Sequence, residues 1–557
     1  MFVAPIAHSA GPNVDAGTLL RQTEQEFTAK KFPPQREHLQ AKSQSLGPSD
    51  EMQIEVRSFK FTGNLLLSNE VLHSALLPFS NRSLTLRQIK EAADAVSAAY
   101  LEADWTARAS LPQQEIVDGV VTIEITEAVF GVATLEGVQP KRIEASYLVK
   151  MAQARLTKGK PLHANDLDRV LLLLDDLPGV SVAGHLVAGA HDGETNLMLS
   201  AMDDTWANGN ATLDNQGSRA TGIERLSANF NVNSPARVGD LLTTNLLRTQ
   251  GTRYARGGYS LPIGDDGWRA GVHASQLQYA LLTSYDANVS GTRGNASTAG
   301  LDVSYPLLRS QLNNVNWVWS YDDKKFENFV ADALNSTYRI KASSMALNGS
   351  RIDGWGGGGY SSAGITWTNG RLLNEGSPNA QSDLDGARVA GHYSKLNLNF
   401  SRLQSLNADL SFFTAINSQV ASKNLDSSER MYLGGVSGVR AFPSSEAGGA
   451  AGRTVTMELR QRLDSGWTLT GFYDHGHINV NKNNANASNG TAISALNSYS
   501  LQGYGASLTW LAPGGMELKA TLAKRSAANP TADVTTGQDG DKTKFTTRAW
   551  VSAGMAF

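Results

Sequence analysis

The sequence predicts three parts in series: an N-terminal helix, two small α/β units of order β-α-α-β-β, and a 16-stranded antiparallel transmembrane β-barrel. Three observations predict this. Helical periodicity is confined to the stretch before Asp203. After Thr205, about sixteen segments alternate apolar and polar side chains, too many strands for an ordinary sandwich and a usual number for a barrel. The chain ends on a strand in which Val551, Ala553, Met555 and the terminal Phe557 share one phase.

Composition narrows the function before any motif is read. The 557 residues carry 49 Lys and Arg against 52 Asp and Glu, a formal net charge of -3, so no basic field invites nucleic acid. There is no Cys. That excludes disulfides, thiol nucleophiles, iron–sulfur centres and Cys-ligated zinc together. No apolar run approaches the roughly 20 residues of a spanning helix; the longest compact one is Val170–Leu174. Residues 1–14 resemble the tail of a secretory signal without its basic region.

The first element is a helix expected within 15–32. Asp15 is a candidate N-cap, and Pro33 and Pro34 stop the helix. Its apolar face is thin, chiefly Leu19, Leu20 and Phe27. Such a helix either frays in solvent or sits in a water-filled space. Residues 33–51, rich in Pro, Gln, Ser and Lys, read as a linker.

Two similar units follow, 52–127 and 128–204. In the first, the strand "IEVRSFKFTGN" precedes a short helix after Ser68. A longer helix then places Ile89, Ala92, Val96 and Tyr100 on one side, before two strands, "WTARASLP" and "GVVTIEITE". The second repeats the order: "FGVATLEGV", helices near 143–156 and 165–177, then "VSVAGHLV" and "TNLMLSAM". Such mixed units pack their helices on one face of a sheet.

The barrel region, 205–557, is built of alternation. Leu396, Leu398 and Phe400 alternate with Lys395, Asn397 and Asn399; Val455, Met457 and Leu459 with Thr456, Glu458 and Arg460; Met516, Leu518 and Ala520 with Glu517 and Lys519. In a membrane barrel the apolar phase faces lipid and the polar phase a wet lumen. Strands are expected at 208–214, 222–232, 240–248, 253–262, 268–279, 297–308, 314–322 and 337–349. The other eight are expected at 360–368, 388–402, 406–417, 453–463, 467–479, 499–511, 516–524 and 545–557. Connections alternate short and long, and lipid offers no partner to an open edge, so the first and last strands must pair.

The longest connection contains "LGGVSGVRAFPSSEAGGAAGR" (433–453), small-residue-rich and without a period. On the strand after it, "FYDHG" puts Phe472 and Asp474 in one phase and Tyr473 in the other with Trp467 and Leu469. Asp474 is therefore assigned to the lumen, since a carboxylate facing lipid is costly. Taken alone, these residues supply a lumenal Asp and a loop Arg.

"SLPQQEIVDGVVTIEITE", "LDRVLLLLDDLPGVSVAGHLVAGAHDGETNLMLS", "LDNQGSRATGIERLSANFNVNSPARVGDLL" and "YSLPIGDDGWRAGV" occur in this order. With two units before a barrel, the chain resembles the TpsB outer-membrane transporters of two-partner secretion, the haemolysin and filamentous-haemagglutinin secretion proteins. The resemblance covers nearly the whole chain beyond its N-terminus. It implies that the two units are periplasmic POTRA domains and that the barrel lies in a Gram-negative outer membrane. It also implies that an unfolded TpsA-type exoprotein, such as a large β-helical adhesin, haemolysin or toxin, is the client, and that the last strand with Phe557 is read by the barrel assembly machinery. Further, loop 420–452 folds into the lumen with its tip Val439, Arg440, Ala441 and Phe442, and pairs Arg440 with Asp474 of the motif Phe472, Asp474, Gly476. The helix with Leu19, Leu20 and Phe27 becomes a plug in the pore. Ala441 departs from the family's Gly, at a cost on the order of 1 kcal/mol if φ is positive there.

No chemistry competes with transport. "GWGGGGY" (354–360) lacks the Lys-Ser/Thr of a phosphate loop and reads as a turn. His475 and His477 share a strand face without further ligands. No catalytic constellation stands out, and no cofactor or metal is expected. Leu171, Leu174 and Leu177 could line a client groove or, more simply, belong to the second unit's core. The rival classes are a BamA-like assembly factor, which shares the architecture, a plain porin, which has no use for 52–203, and a patatin-like self-secreting esterase, whose Gly-x-Ser-x-Gly elbow is missing.

Overall fold

The computed structural model describes residues 14–28, 53–286 and 291–557. Among these, sixteen strands close into one antiparallel barrel. They are β1 (Ala207–Asp214), β2 (Arg225–Asn233), β3 (Leu241–Arg248), β4 (Thr252–Ile263), β5 (Trp268–Ala280), β6 (Arg293–Arg309), β7 (Asn313–Val330) and β8 (Ala333–Asp353). Then come β9 (Gly359–Leu373), β10 (Gly391–Ser405), β11 (Leu410–Ala421), β12 (Ala451–Arg462), β13 (Trp467–Asn479), β14 (Ser498–Leu511), β15 (Met516–Arg525) and β16 (Thr547–Ala556). All sixteen expected strands are present in order. The expected 297–308, 314–322 and 337–349 are too short, because β6, β7 and β8 run for 17, 18 and 21 residues. The β7–β8 hairpin turns on Ala331 (φ 47°) and Asp332 (φ 63°), the left-handed pair that a two-residue hairpin loop requires.

The phases separate as alternation demands. Leu398, Phe400, Met457, Leu459 and Val551 point outward and are exposed, while Lys395, Glu458 and Asp474 are buried inside. Aromatic pairs mark the short-turn rim: Trp268 stacks on Tyr305 at 4.6 Å and Trp467 on Trp510 at 5.5 Å between centroids. Such girdles sit at a membrane–water interface.

The seam between β16 and β1 has five register pairs, against nine between β15 and β16. Two side features extend it. Phe557 exchanges backbone hydrogen bonds with Gly209 at 2.9 and 3.0 Å. Past the end of β1, the Asn215 amide stands in for a peptide: its Nδ2 donates to Ala549 O at 3.1 Å and its Oδ1 accepts from Val551 N at 2.8 Å.

Ahead of the barrel stand two α/β units. In the first, helix Leu86–Glu102 opens with a capping box between Thr85 and Gln88 and lays Ile89, Ala92, Val96 and Tyr100 in one core with Phe59, Val121, Ile123 and Ile125. Its three-stranded sheet has Val120–Glu127 central, parallel to Ser58–Thr62 and antiparallel to Ala107–Ser110. The expected first strand is interrupted at Arg57, and Gln53–Val56 pairs instead with a strand not read from the sequence, Arg82–Thr85. The second unit repeats the plan with Val129–Glu136, helices Ala145–Arg155 and Ala164–Asp175, Val180–Ala188 and Glu194–Asp203.

The second unit docks on the short-turn rim. Arg309 on β6 donates from Nε and Nη2 to the two oxygens of Asp176, both at 2.7 Å. Arg169 donates to Pro306 O at 2.7 Å, Gln311 to Asp168 at 2.9 Å, and Tyr147 to Gly264 O at 3.2 Å. Arg155 pairs with Asp166 at 2.7 Å and lies 3.6 Å from Asp266; the hydrogen bond to Asp166 holds its guanidinium above the ordinary arginine value. Planar two-point pairing of this kind fixes orientation as well as contact.

The phase assignment predicts different outcomes for an outward and an inward residue. Leu459→Arg should cost about 2–4 kcal/mol of barrel stability, because its side chain enters lipid. Asn399→Arg, facing the bore, should leave stability close to that of the parent. Denaturant titration of the barrel refolded in lipid vesicles reads both.

Candidate functional site: a loop and a helix inside the bore

The β11–β12 connection, residues 422–450, folds back into the bore rather than projecting from it, and most of its side chains are buried. Its tip residues Val439, Arg440, Ala441 and Phe442 are all buried. Alternation along β13 brings Phe472, Asp474 and Gly476 to the inner face beneath them. Asp474 accepts three hydrogen bonds from Arg440: from Nη2 at 2.7 Å, Nε at 2.8 Å and the backbone N at 3.1 Å. Arg440 Nη1 donates to Glu458 on β12 at 2.8 Å. The guanidinium lies over the Phe472 ring, 3.5 Å from its centroid. Gly476 keeps the floor flat, since a Cβ there would stand 3.0 Å from Val439 Cγ2. Trp550 on β16 donates to Arg440 O at 2.8 Å, and Arg525 on β15 donates to Ala441 O at 3.2 Å. A desolvated ion pair survives only where its remaining donors and acceptors are met, and here the wall from β12 to β16 meets them.

Ala441 does not have positive φ, so the conditional penalty does not arise. Its methyl group lies against Gly503 on β14, where a Cβ would come within 2.5 Å of it. The left-handed backbone falls a few residues on, at Ser445 (φ 69°) and Ala447 (φ 58°).

A second anchor holds the other flank of the loop. Glu429 is buried and takes Lys324 of β7 at 3.2 Å and Lys395 of β10 at 2.7 Å. Gln419 on β11 donates to Glu429 O at 3.1 Å and to Ala450 O at 3.2 Å. A third contact reaches the β15–β16 loop, where Glu446 accepts from Asn529 at 3.0 Å and Thr531 at 3.1 Å.

The N-terminal helix, Ala16–Thr28, lies in the bore between this loop and the wall. Asp15 caps it, accepting from Thr18 N at 2.8 Å, and the same carboxylate accepts from Ser427 of the loop at 2.8 Å. Ala16 N donates to Asn328 of β7 at 3.0 Å, and Thr18 shares a hydrogen bond with Tyr432 at 3.0 Å. Glu26 pairs with Arg225 of β2, and Gln22 hydrogen-bonds Ser445. Its seat is not simply wet, as a polar plug suggested. Leu19 and Leu20 are buried in an apolar patch of the inner wall with Leu247, Leu277, Phe326 and Ile340, and Phe27 stacks on Tyr254 at 5.8 Å. Beside its N-terminal end a cavity of about 710 Å³ remains, lined by Asp15, Tyr285, Asp426 and Lys542 among others.

Leu171, Leu174 and Leu177 are corrected. Leu174 and Leu177 are buried in the second unit's core and Leu171 packs against it, so they form no groove. Leu177 also abuts Gly239 in the β2–β3 turn. His475 and His477 lie on the outer face of β13, where His477 contacts Ser500 at 3.0 Å. Among the described residues no His, Asp or Glu cluster is placed to hold a metal ion. Residues 1–13 and the expected linker 33–51 lie outside the described residues. Nothing in the sequence singles out Glu429, Lys324, Glu446 or Trp550; the signal it carries nearby is that Lys395 and Glu458 each fall in the lumenal phase.

A closed barrel with an apolar exterior, its bore filled by its own loop and helix, and α/β units docked on one rim define an outer-membrane transporter with periplasmic POTRA domains. Residues 193–539 match the family described as haemolysin secretion/activation protein ShlB/FhaC/HecB, and residues 54–128 match the POTRA domain, ShlB-type. The heme/hemopexin transporter protein HuxB of Haemophilus influenzae (strain 86-028NP) is 26% identical over 529 residues, covering 92% of this chain and 91% of that one. The structure of CdiB from Escherichia coli superposes with a TM-score of 0.67 at 18% identity, covering 97% of this chain and 96% of that one. BamA from Haemophilus ducreyi lacking POTRA domains 1–3 gives 0.54 at 14% identity, covering 91% and 100%. The chain belongs to the ShlB/FhaC/HecB family, the TpsB outer-membrane transporters of two-partner secretion.

Breaking the Arg440–Asp474 pair should unseat the loop tip and leave the barrel closed. Asp474→Ala removes the three hydrogen bonds that Arg440 makes to Asp474 and leaves its buried guanidinium with Glu458 as carboxylate partner, a loss on the order of 3 kcal/mol of local docking energy. The expected result is new protease sensitivity within 433–447, with heat-modifiable migration of the barrel unchanged.

Proposed function

We propose that the docked loop and the N-terminal helix together hold this transporter closed, and that export of its cognate exoprotein requires the helix to leave the bore. The observation that carries this reading is the Asp15 carboxylate, which caps the helix and accepts from Ser427 of the loop, so that helix and loop share one anchor. The helix is also held by polar contacts that water can replace, through Asp15, Ala16 N, Thr18, Gln22 and Glu26. Its release uncovers the apolar wall patch that receives Leu19 and Leu20, a cost that entry of the client must offset.

The client reaches the pore from the periplasm as an unfolded chain. The edges of the POTRA sheets, Ser58–Thr62 in the first among them, support strand addition, in which main-chain hydrogen bonds supply affinity with little demand on sequence. No step calls for a nucleotide; folding of the client outside the cell biases its movement outward. The apolar exterior is matched to outer-membrane lipid, and the closing strand ending in Phe557 is the segment read by the barrel assembly machinery.

Removing residues 15–28 should raise single-channel conductance in planar bilayers several-fold, since the helix occupies much of the bore. Unchanged conductance would count against plugging. Arg440→Ala should cut the level of the client in the culture supernatant at least tenfold while the barrel still reaches the outer membrane. The client itself is identified as the protein missing from the supernatant of a deletion strain. Loss of many outer-membrane barrels from that strain would point instead to an assembly role.

A further inference from the structure

The two POTRA domains meet without a linker. The last strand of the first, Val120–Glu127, and the first strand of the second, Val129–Glu136, are separated by Ala128 alone. Ala128 is paired on both sides: its N donates to Thr106 O at 2.9 Å and its O accepts from Leu162 N at 2.9 Å. Thr106 N donates to Leu162 O at 3.0 Å, and Phe130 N to Lys160 O at 2.9 Å. Residues 104–106 of one domain and 159–164 of the other therefore form one small ladder across the boundary.

Asp104 is the pivot of this ladder. It has a φ of 67°, a left-handed conformation that disfavours most residues and that Asp tolerates. That turn sets it on the first residues of the second domain's helix Ala164–Asp175. The helix has no side-chain cap of its own at His163. Asp104 supplies one from the other domain: its O accepts from Ala164 N at 3.1 Å, and its Oδ1 from Asn165 N at 2.7 Å. Helix N-termini leave such N–H groups unpaired and favour a negative charge. Asp104 Oδ2 also lies 3.4 Å from His163 Nδ1, and the His163 ring rests on the Trp105 indole with centroids 3.9 Å apart. The middle of the same helix is pinned to the barrel through Asp168 and Arg169, and Asp176 immediately beyond its end binds Arg309. One helix is thus capped by the first domain and fastened to the pore.

We propose that Asp104 is a positioning residue which, with the Trp105–His163 stack, locks the first POTRA domain at one angle to the barrel. The strand edge Ser58–Thr62 is thereby presented at a fixed place relative to the bore. The functional half of this inference rests on the reading of the POTRA domains as the client's receptor. The junction is a strut, not a hinge.

The chain has no Cys, so introduced pairs report cleanly. In the full chain in lipid nanodiscs, spin labels on Lys90→Cys and Asp464→Cys should give one narrow distance distribution. Asp104→Ala should broaden it and lower supernatant client at least fivefold, while Asp104→Asn, which keeps an acceptor and tolerates the same φ, should stay within twofold of the parent. Trp105 and His163 are directly opposed as a non-hydrogen-bonded antiparallel pair, a spacing that suits a disulfide. Trp105→Cys with His163→Cys, oxidised, should export normally and should restore export to Asp104→Ala. A narrow distribution in Asp104→Ala overturns the strut. Arrest of the oxidised pair relieved by reductant also overturns it, because the junction must then bend. A broadened distribution with full export leaves the strut but removes the receptor reading beneath it.

Discussion

The whole molecule depends on one constraint: in hydrocarbon, each main-chain N–H and C=O must find its partner within the protein. A sheet satisfies this only by meeting itself. The β1–β16 seam is where that closure is achieved, and it is also the shortest ladder in which β16 takes part. Phe557 and the Asn215 amide add main-chain-like bonds at its two ends, so the least regular part of the cylinder is patched by specific residues and not by further strand. Once the cylinder is closed, its inner face becomes a defined surface, and everything functional is arranged on that surface.

The inner surface is used asymmetrically. The wall from β12 to β16 receives the loop tip through Arg440, whose donors are divided among Asp474 and Glu458. The wall of β7 and β10 receives the other flank through Glu429. The helix lies between them, with its few apolar residues against a matching patch. Buried charges of this kind add little net stability, but each specifies a single seat, because any other placement strands a charge. A loop held by two such anchors, with Leu433, Val439 and Phe442 packed against Phe472, Ile478 and Leu501 of the wall, has a defined closed position.

What alternation reports explains what was legible. It assigns a side chain to a face, so the sixteen strands, the outward Leu398 and Phe400 and the lumenal Asp474 follow from the sequence. It says nothing about partners: Lys395 was placed in the bore, but Glu429 lies in an aperiodic stretch that carries no phase. The ends of β6, β7 and β8 were missed for a related reason. Beyond the lipid band the outer face, with Lys325 and Glu327, turns to water while the inner face, with Lys324, Phe326 and Asn328, packs on the helix and loop, so "DDKKFENFV" continues as strand after its apolar–polar alternation has stopped. Helical period likewise reports that Leu171, Leu174 and Leu177 are apolar on one side, not whether a sheet or a client covers them; the sheet does. The Asp104 cap was invisible because its helix begins in the other domain, 60 residues away in sequence.

The long β7–β8 hairpin has a mechanical corollary. At about 3.3 Å per residue and a tilt near 40°, its 18- and 21-residue strands rise roughly 45–55 Å along the barrel axis, about twice the apolar band. The excess stands above the bilayer on one side only, like a parapet. The mouth of the bore is thereby walled off from the membrane surface on the flank of this hairpin and left open on the other.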